Sequence, residues 1–510
     1  AYEIYDKEND VMIENLAYIF ERENAEEMEA AFDDLALQLE SSSLLDVVFK
    51  SSIVGEQIDK IVLDITKDET AKIPKNIDYV GEDGECSVLL TTLKILFKNG
   101  GGPVLIAMMK NGDGKLNSEQ INDMIKVLTK EIEVDGKTTT IIKNLINSKL
   151  VHYVLSTYLT YAQFGDAFKL YIPTDSIEII EDCKIITHKE IEVIADLLSN
   201  CSELIIEVMD HPDNIDYAHI FSNEYIKKTV KESLLLQGTL ANVIIGVSAT
   251  QEKIVLPITY DNPENWIDPN GNGEICGLLD AIYSISDVTV EEDKYLINEL
   301  LNGNIQPSAF LNLDKPILDQ LCASKVLRYT ISDMVTDLGS TGFNIVVARA
   351  SLEEVNAATT TDKLVNVIQA DELSDIFVDI QRIISFDEND YVKINYNAIF
   401  EKKAELCKSK TITATLIQLM FDKNEEGFIV IPDTYKVDFE KFKTDFDLSG
   451  NEWLGSSNNT TDDELYLMLT AVETFIDKDE NGKIPDEFDF STLADTMKLR
   501  ENSIDDICAS

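Results

Sequence analysis

The segment DKDENGKI, from Asp477 to Ile484, sets side-chain oxygens at alternate positions ahead of a glycine: Asp477, Asp479 and Asn481, then Gly482. Hard oxygens spaced in this way around a sharp turn suit calcium, which takes many oxygen ligands in flexible geometry. Lys483 would add its backbone carbonyl, and Ile484 would supply the apolar anchor that follows. A second segment, DPNGNGE, offers Asp268, Asn270 and Asn272 in the same alternation. Calcium is therefore the candidate cofactor. Its candidate ligands are Asp477, Asp479, Asn481, Lys483, Asp268, Asn270 and Asn272.

Over its eight residues the Asp477 segment resembles the first half of an EF-hand loop. The resemblance implies side-chain ligands at the first, third and fifth loop positions, the turn glycine at the sixth and a carbonyl at the seventh. The bidentate glutamate that closes such a loop is replaced by Phe488, flanked by Glu487 and Asp489. A weaker cousin, Asn111 and Asp113 in MKNGDGKL, has Met109 at its first position. Asp387, Asn389 and Asp390 have the acids but no glycine and read as a solvated turn. The same residue types also make left-handed turns without metal, so a purely structural role stands beside the metal role at each loop.

Catalytic constellations are missing. His152, His188, His211 and His219 lie within one stretch of the chain, and none has a histidine four residues on or a neighbouring cysteine pair. His188 is expected at the solvent-facing start of a helix, and His211 in the turn MDHPDN. The chain has no phosphate-binding G-x-x-x-x-G-K-[ST] loop, no G-x-S-x-G elbow and no H-E-x-x-H. Carboxylates are too many for any pair to be nominated as acid and base. The expectation is a protein that is not an enzyme.

The elements that must carry these loops recur along the chain. A helix is expected to open at Ser52, Ser148, Ser233, Ser324 and Ser409, with Ser510 next, at separations of 96, 85, 91, 85 and 101 residues. After each serine comes an apolar run, ending in proline at Pro74, Pro173, Pro257 and Pro432 and in Ala348 in the fourth unit. Such a run stopped by proline reads as a short strand. A helix follows, beginning at Glu85, Glu190, Glu274 or Glu464, with apolar residues four, five and eight places on. That register makes Leu89, Ile194, Leu278 and Met468 equivalent core positions. The fourth unit's helix, around Lys363, departs most from it. Thr187 and Thr461, three residues before their glutamates, read as capping boxes.

A turn into an isoleucine or leucine closes each unit, at Leu116, Ile215, Ile305, Ile394 and Ile484. ENDVMIENLAYIF near the start matches ENDYVKINYNAIF, which gives Ile13 the role of Ile394. The chain then begins part-way through one repeat and stops at the threshold of another, as a processed piece of a longer array would. IEVDGKTTTI reads as an inserted Asp-Gly hairpin at Asp135 and Gly136, and NAEEMEAAFDDLALQLE as an amphipathic helix packed within the array.

The net charge of −51, from 94 acids and 43 bases, excludes nucleic acid as a partner, since phosphate needs clustered lysine and arginine. The bases are 38 lysines and five arginines, whereas salt-adapted acidic proteins shed lysine; coding bias explains the pattern better. Seven scattered cysteines do not make a disulfide framework, and Cys322, Cys407 and Cys508, at one repeat position, read as small buried apolar residues. No run is long and apolar enough to span a membrane.

The expected fold is mainly α with short β-strands: a tandem-repeat array of about five α-rich modules of roughly ninety residues, forming a semi-rigid elongated rod. The units run 1–52 (partial), 53–148, 149–233, 234–324, 325–409 and 410–510. The expected function is a non-enzymatic extracellular structural or adhesive protein at the cell surface, a stalk or filament segment stabilised by calcium. Its partners would be itself, head to tail, or other surface proteins, together with divalent cations. The alternative is an intracellular helical-repeat scaffold that binds basic peptides or proteins.

Overall fold

Apolar residues at helical spacing dominate the chain, and the computed structural model is mostly helical with a few short antiparallel strands. The structure describes residues 3–6, 11–14, 27, 30–31, 34–35, 38, 84–99, 118–134, 136–161, 170–180, 183–210, 216–250, 254–291, 294–301, 312–336, 347, 352–358, 364–386, 392–420, 464–476 and 478–485. The chain forms two units. One comprises Ala1–Val243 with Trp266–Cys276, the other Ile244–Asn265 with Gly277–Ser510.

In the first unit the hairpin of β1 (Glu3–Asp6) and β2 (Val11–Glu14) precedes α1 (Glu85–Lys98) and α2 (Ser118–Leu128). The hairpin of β3 (Glu131–Val134) and β4 (Lys137–Thr140) leads into α3 (Ile141–Leu145) and α4 (Lys149–Tyr161). Gly136 adopts φ +74° at the turn, as the Asp-Gly reading requires. Next come β5 (Ile177–Ile180), β6 (Cys183–Ile186), α5 (His188–Asp210), α6 (Tyr217–Ser222), α7 (Glu224–Glu232) and the larger part of α8 (Leu234–Thr250), which passes into the second unit at Ile244. Ile142, Ile146, Ile186, Ile191, Ala195 and Leu235 form one core, and Leu96, Ile132 and Ile141 another. In the stretch 27–38, Ala31 and Leu35 are buried.

The second unit takes in most of α9 (Glu274–Ile285), the hairpin of β7 (Thr289–Glu291) and β8 (Lys294–Tyr295), and α10 (Leu296–Leu301). It continues with α11 (Lys315–Ala323), α12 (Lys325–Thr336), β9 (Leu352–Ala357), β10 (Leu364–Ile368) and α13 (Ala370–Ile383). The hairpin of β11 (Ile384–Phe386) and β12 (Val392–Ile394) follows, then α14 (Tyr396–Glu401), α15 (Lys403–Leu406), α16 (Lys410–Met420) and α17 (Glu464–Phe475). Its main core gathers Leu373, Ile376, Ile380, Ile399, Leu406, Ile412, Leu465 and Leu469.

All strand pairs among the described residues are isolated antiparallel hairpins. Ile4 faces Ile13 across β1–β2 and Ile384 faces Ile394 across β11–β12, so the two matching sequence segments lie on equivalent strands. The helix register is recognisable too, with a change of emphasis. The residue just after the glutamate is the most consistently buried: Ile191 at 3%, Ile275 at 1% and Leu465 at 0% exposure. Four places on, Leu278 is buried and Leu89 and Ile194 are half-buried.

The stretch 325–409 keeps the same register from Glu372, with Leu373, Ile376 and Ile380 buried one, four and eight places later. The helix expected around Lys363 is not there: Leu364–Ile368, directly after it, is strand β10, and the helix begins only at Ala370. Lys363 itself lies outside the described residues, as do Ser52, Pro74, Leu116, Ile215, Ile305, Ala348, Pro432, Thr461, Cys508 and Ser510.

The proline-ended runs are not regular strands where they are described, although Pro257 makes a single antiparallel bridge to Ala358. Residues 170–173 and 254–256 are irregular, and Pro173 and Pro257 each open a 3₁₀ turn, Thr174–Ser176 and Ile258–Asp261. Proline's fixed φ suits the start of such a turn, and here that outweighs the strand preference of the preceding residues.

Candidate functional site

The four described landmark serines, Ser148, Ser233, Ser324 and Ser409, each end one helix and start the next. Ser233 N–H donates to Thr229 O at 3.1 Å, closing α7, while its Oγ accepts from Leu236 N at 3.1 Å, opening α8. The axes of α7 and α8 bend by 100° there. Ser148 receives Val151 N at 3.1 Å, Ser324 receives Leu327 N at 3.3 Å and Ser409 receives Ile412 N at 3.2 Å. This is the N-cap geometry that serine's short side chain favours.

A glutamate from an earlier helix completes the cap. Ser233 Oγ donates to Glu190 Oε2, and the same carboxylate accepts Leu234 N at 2.9 Å and Leu235 N at 3.3 Å. Ser148 Oγ donates to Glu85 Oε1, which also accepts Leu150 N at 2.9 Å. In the other unit, Ser409 Oγ donates to Glu372 Oε1 at 3.0 Å, and Thr411 N adds a bond at 2.8 Å. The three glutamates are 4 to 8% exposed and the serines nearly fully enclosed. A buried carboxylate is costly unless hydrogen-bonded, and here it meets two to three donors at the positive end of a helix.

Glu190 does not close a capping box with Thr187. Thr187 N donates to Ser176 O at 2.9 Å, and the Glu190 carboxylate instead turns to Ser176 Oγ and to α8. The donors at the start of α8 outcompete the local amide.

Threonine six residues after the serine makes a second recurrent link. Thr239 Oγ1 accepts Tyr171 N at 3.2 Å and donates to Tyr171 O at 3.3 Å. Thr330 Oγ1 does the same to Val255, at 3.1 and 3.4 Å. Both partners stand two residues before the landmark proline, so a hydroxyl does for the irregular run what a neighbouring strand would have done. Neither threonine was marked by local sequence pattern.

The two candidate metal loops share one turn. Asp268 Oδ1 accepts Asn270 N at 2.8 Å and Asn270 Nδ2 at 3.0 Å, with Gly271 at φ +76°. Asp479 Oδ1 accepts Asn481 N at 2.9 Å and Lys483 N at 2.8 Å, with Gly482 at φ +76°. The Lys483 carbonyl accepts Asp479 N at 2.7 Å, and Asn481 Nδ2 reaches Asp479 Oδ2 at 3.4 Å. The Lys483 N–H, followed by the Asn481 donors, holds the exposed Asp479 carboxyl below its ordinary range. Asn272 is exposed.

Asp268 and Asn270 are thus brought together in one turn, and Asp479, Asn481 and Lys483 in another. Asp477, Asn111, Asp113, Asp387, Asn389 and Asp390 lie outside the described residues. The oxygens are of the kind calcium takes, and Asp268 Oδ1 and Asp479 Oδ1 already receive backbone amides. The Asp479 turn also delivers Ile484, whose N–H and carbonyl are held by the Asn397 side chain at 2.8 and 3.0 Å. Among the described residues no group of three or more His, Cys, Asp or Glu is placed to hold a metal.

His152 is buried on α4, where its Nε2 donates to Ile186 O at 2.7 Å. Burial lowers its pKa, and His188, edge-on with ring centroids 5.2 Å apart, lowers it further. His188 and His219 are exposed, and His211 lies outside the described residues. Cys322 and Cys407 are buried in the second unit's core, and burial pushes the Cys322 thiol up to about 12. Both therefore behave as small apolar residues, as expected from their position.

In the same unit Asp379 is buried on α13, with Arg382 Nη1 at 2.7 Å. Desolvation outweighs that guanidinium and, with Asp375 and Glu372 nearby, pushes the Asp379 carboxyl up to about 7. Lys315 on α11 bridges to Asp375 at 2.6 Å and to Asp319 at 3.2 Å, and Ser374 Oγ donates to Asp319 at 2.5 Å, joining α11 to α13.

Among the described residues no single helix is long and apolar enough to cross a membrane. No protein-family model matches the chain, and neither a curated protein nor a solved structure matches it.

Proposed function

We propose that the chain is a non-enzymatic structural protein, a tandem-repeat stalk or filament segment of an extracellular surface, in which each unit caps the opening helix of the next. The observation that carries this reading is the recurrence of one junction, Glu85 with Ser148, Glu190 with Ser233 and Glu372 with Ser409, always in that chain order. The threonine links to Tyr171 and Val255 support it, since they too tie a run to the helix opened by the next landmark serine. Polar groups here are spent on joining elements rather than on lining a reactive cleft. A net charge of −51 suits a surface exposed to cations and favours units spread along a line.

Calcium remains part of the proposal at the Asp479 loop, where Asp479 and Asn481 share one glycine turn. Thermal unfolding with calcium and with chelator, beside small-angle scattering, tests both parts. A rise in melting temperature with calcium that Asp479→Ala removes supports the cation site. A maximum dimension like that of a compact sphere of this mass would rule out the rod.

A further inference from the structure

Three Asn-Gly pairs stand among the described residues: Asn270–Gly271, Asn272–Gly273 and Asn481–Gly482. All three asparagines are exposed, so access to water does not tell them apart. The dipeptide carries a reaction of its own, in which the backbone nitrogen after the asparagine attacks the side-chain carbon Cγ. Glycine, with no side chain, leaves that attack unhindered. The nitrogen must turn towards Cγ and the side-chain amide must turn to meet it. Hydrogen bonds that fix either group therefore hold the reaction back.

Two of the pairs are fixed at both groups. Gly271 N–H donates to Asp268 O at 2.9 Å, and Asn270 Nδ2 to Asp268 Oδ1 at 3.0 Å. Gly482 N–H donates to Asp479 O at 2.9 Å, and Asn481 Nδ2 to Asp479 Oδ2 at 3.4 Å. The third is fixed at neither: among the described residues, no hydrogen bond is made by the Asn272 side chain or by Gly273 N–H. Packing nevertheless keeps glycine in place there. A Cβ on Gly273 would lie 2.7 Å from the Trp266 carbonyl oxygen and 2.7 Å from Asp268 N, both backbone atoms that cannot swing aside. The entry to α9 thus demands the one residue type that leaves its neighbour reactive.

We propose that Asn272 is a site of self-modification, at which the Gly273 nitrogen closes a succinimide ring on Asn272 Cγ and ammonia leaves. The new N–Cγ bond replaces the bond from Cγ to Nδ2, and the proton lost from Gly273 N departs with the side-chain nitrogen. Water, the sole co-reactant, then opens the ring at either of its carbonyls. Opening at Cγ restores the ordinary backbone with aspartate at 272, and opening at the backbone carbonyl leaves isoaspartate, with the chain running on through the former side chain. No atom is oxidised or reduced. Either product places a negative charge ahead of α9, where the unpaired amides of a helix start favour it, and turns a neutral member of the Asp268 loop into an acid. The isoaspartyl product also lengthens the backbone by a methylene beside the crowded Gly273, so it should loosen the entry to α9 while the aspartyl product leaves it seated. This inference is independent of the filament reading.

The test incubates the full chain at mildly alkaline pH, folded and in urea, and follows each asparagine by digestion and fragment mass spectrometry that separates Asn270 from Asn272. Enzymatic methylation counts the isoaspartate. Each site's rate in urea is its own reference. In the folded chain Asn270 and Asn481 should fall at least about fivefold below their references, the factor that one hydrogen bond makes in a rate, while Asn272 should stay close to its own. Asn272→Gln, whose longer side chain closes such a ring far more slowly, should remove the signal at 272 and leave the other two rates unchanged, with circular dichroism as the check on folding. Slowing of Asn272 in the folded chain equal to that of Asn270 and Asn481 overturns the proposal. So does a folded chain in which those two react as fast as Asn272. Neither cations nor association of the chain enters the assay, so its outcome and that of the filament reading are read separately.

Discussion

Glu190 and Ser233, 43 residues apart in sequence, share a buried hydrogen bond in which the serine hydroxyl donates and the carboxylate also receives the first two amides of α8. Three needs are met at one point. The helix start loses its unpaired amides, the carboxylate gains donors in place of water, and the bend between α7 and α8 is held.

Removing either partner should therefore cost more than an ordinary surface cap. Ser233→Ala should lose about 2 kcal/mol, the upper end for cap removal, because the buried carboxylate also loses its hydroxyl donor. Glu190→Gln should lose about 1 to 3 kcal/mol by weakening the charge-assisted bonds. The double variant should lose less than the sum, with a coupling of about 1 kcal/mol or more. Urea unfolding read by hydrogen exchange at the start of α8 reports this locally. Additive losses would mean that the two residues stabilise the bend independently.

Thr239→Val keeps shape and removes both bonds to Tyr171. A half-buried N–H and carbonyl both lose their bond to Thr239, and about 1 to 2 kcal/mol is expected. Exchange of the Tyr171 amide should speed up by a factor of about 5 or more, through local opening rather than global unfolding. Unchanged exchange at Tyr171 would show that the run is held by its apolar side chains alone.

How much of this was legible follows from range. The serines, the glutamates and the isoleucines Ile13 and Ile394 were readable because each sits in a local apolar pattern. The bond from Glu190 to Ser233 was not, since nothing local says which amides a carboxylate will meet; the nearby Thr187 offered a plausible but wrong partner. Glu372 was missed around Lys363 because the distance from landmark serine to glutamate varies with insertions, although Leu373, Ile376 and Ile380 keep the register. Leu170–Pro173 and Ile254–Pro257 were misread because a run of apolar residues before proline fits a strand and a docked irregular segment equally well. Only Thr239 and Thr330, far along the chain, decide between them.

Asp379 gives the second unit a pH dependence of definite sign. Its carboxyl rises from an ordinary 3.8 to about 7 in the folded chain, chiefly through burial and despite Arg382. The folded state then binds the proton more tightly than the unfolded one. Its stabilising share is full below pH 3.8 and is lost as the pH climbs towards 7. Asp379→Asn carries no titrating proton, so variant and wild type should be closest in the acid range. The variant should gain steadily on the wild type up to neutrality and hold its advantage above. Paired melting curves across that range measure the difference, which cancels the titration of all other acids. A difference independent of pH would show that Arg382 keeps Asp379 ionised throughout.

Two glycines should respond to alanine for different reasons, and the contrast separates backbone strain from crowding. Gly482 has φ +76° with open space around the site of a side chain, so Gly482→Ala should cost about 1 to 2 kcal/mol from the left-handed backbone alone. Gly482→Asn should recover part of that, because asparagine tolerates this region. Gly238 lies in α8, where alanine is intrinsically better by about 1 kcal/mol, but a Cβ there would fall 2.8 Å from Pro173 Cγ and 2.9 Å from Tyr171 Cδ1. Crowding of about 1 to 3 kcal/mol should then cancel or exceed the helical gain. Pro173→Ala, which removes the nearer atom, should relieve Gly238→Ala without affecting Gly482→Ala. Equal relief at both sites, or at neither, would mean that the run before Pro173 does not rest on α8 as tightly as the geometry requires.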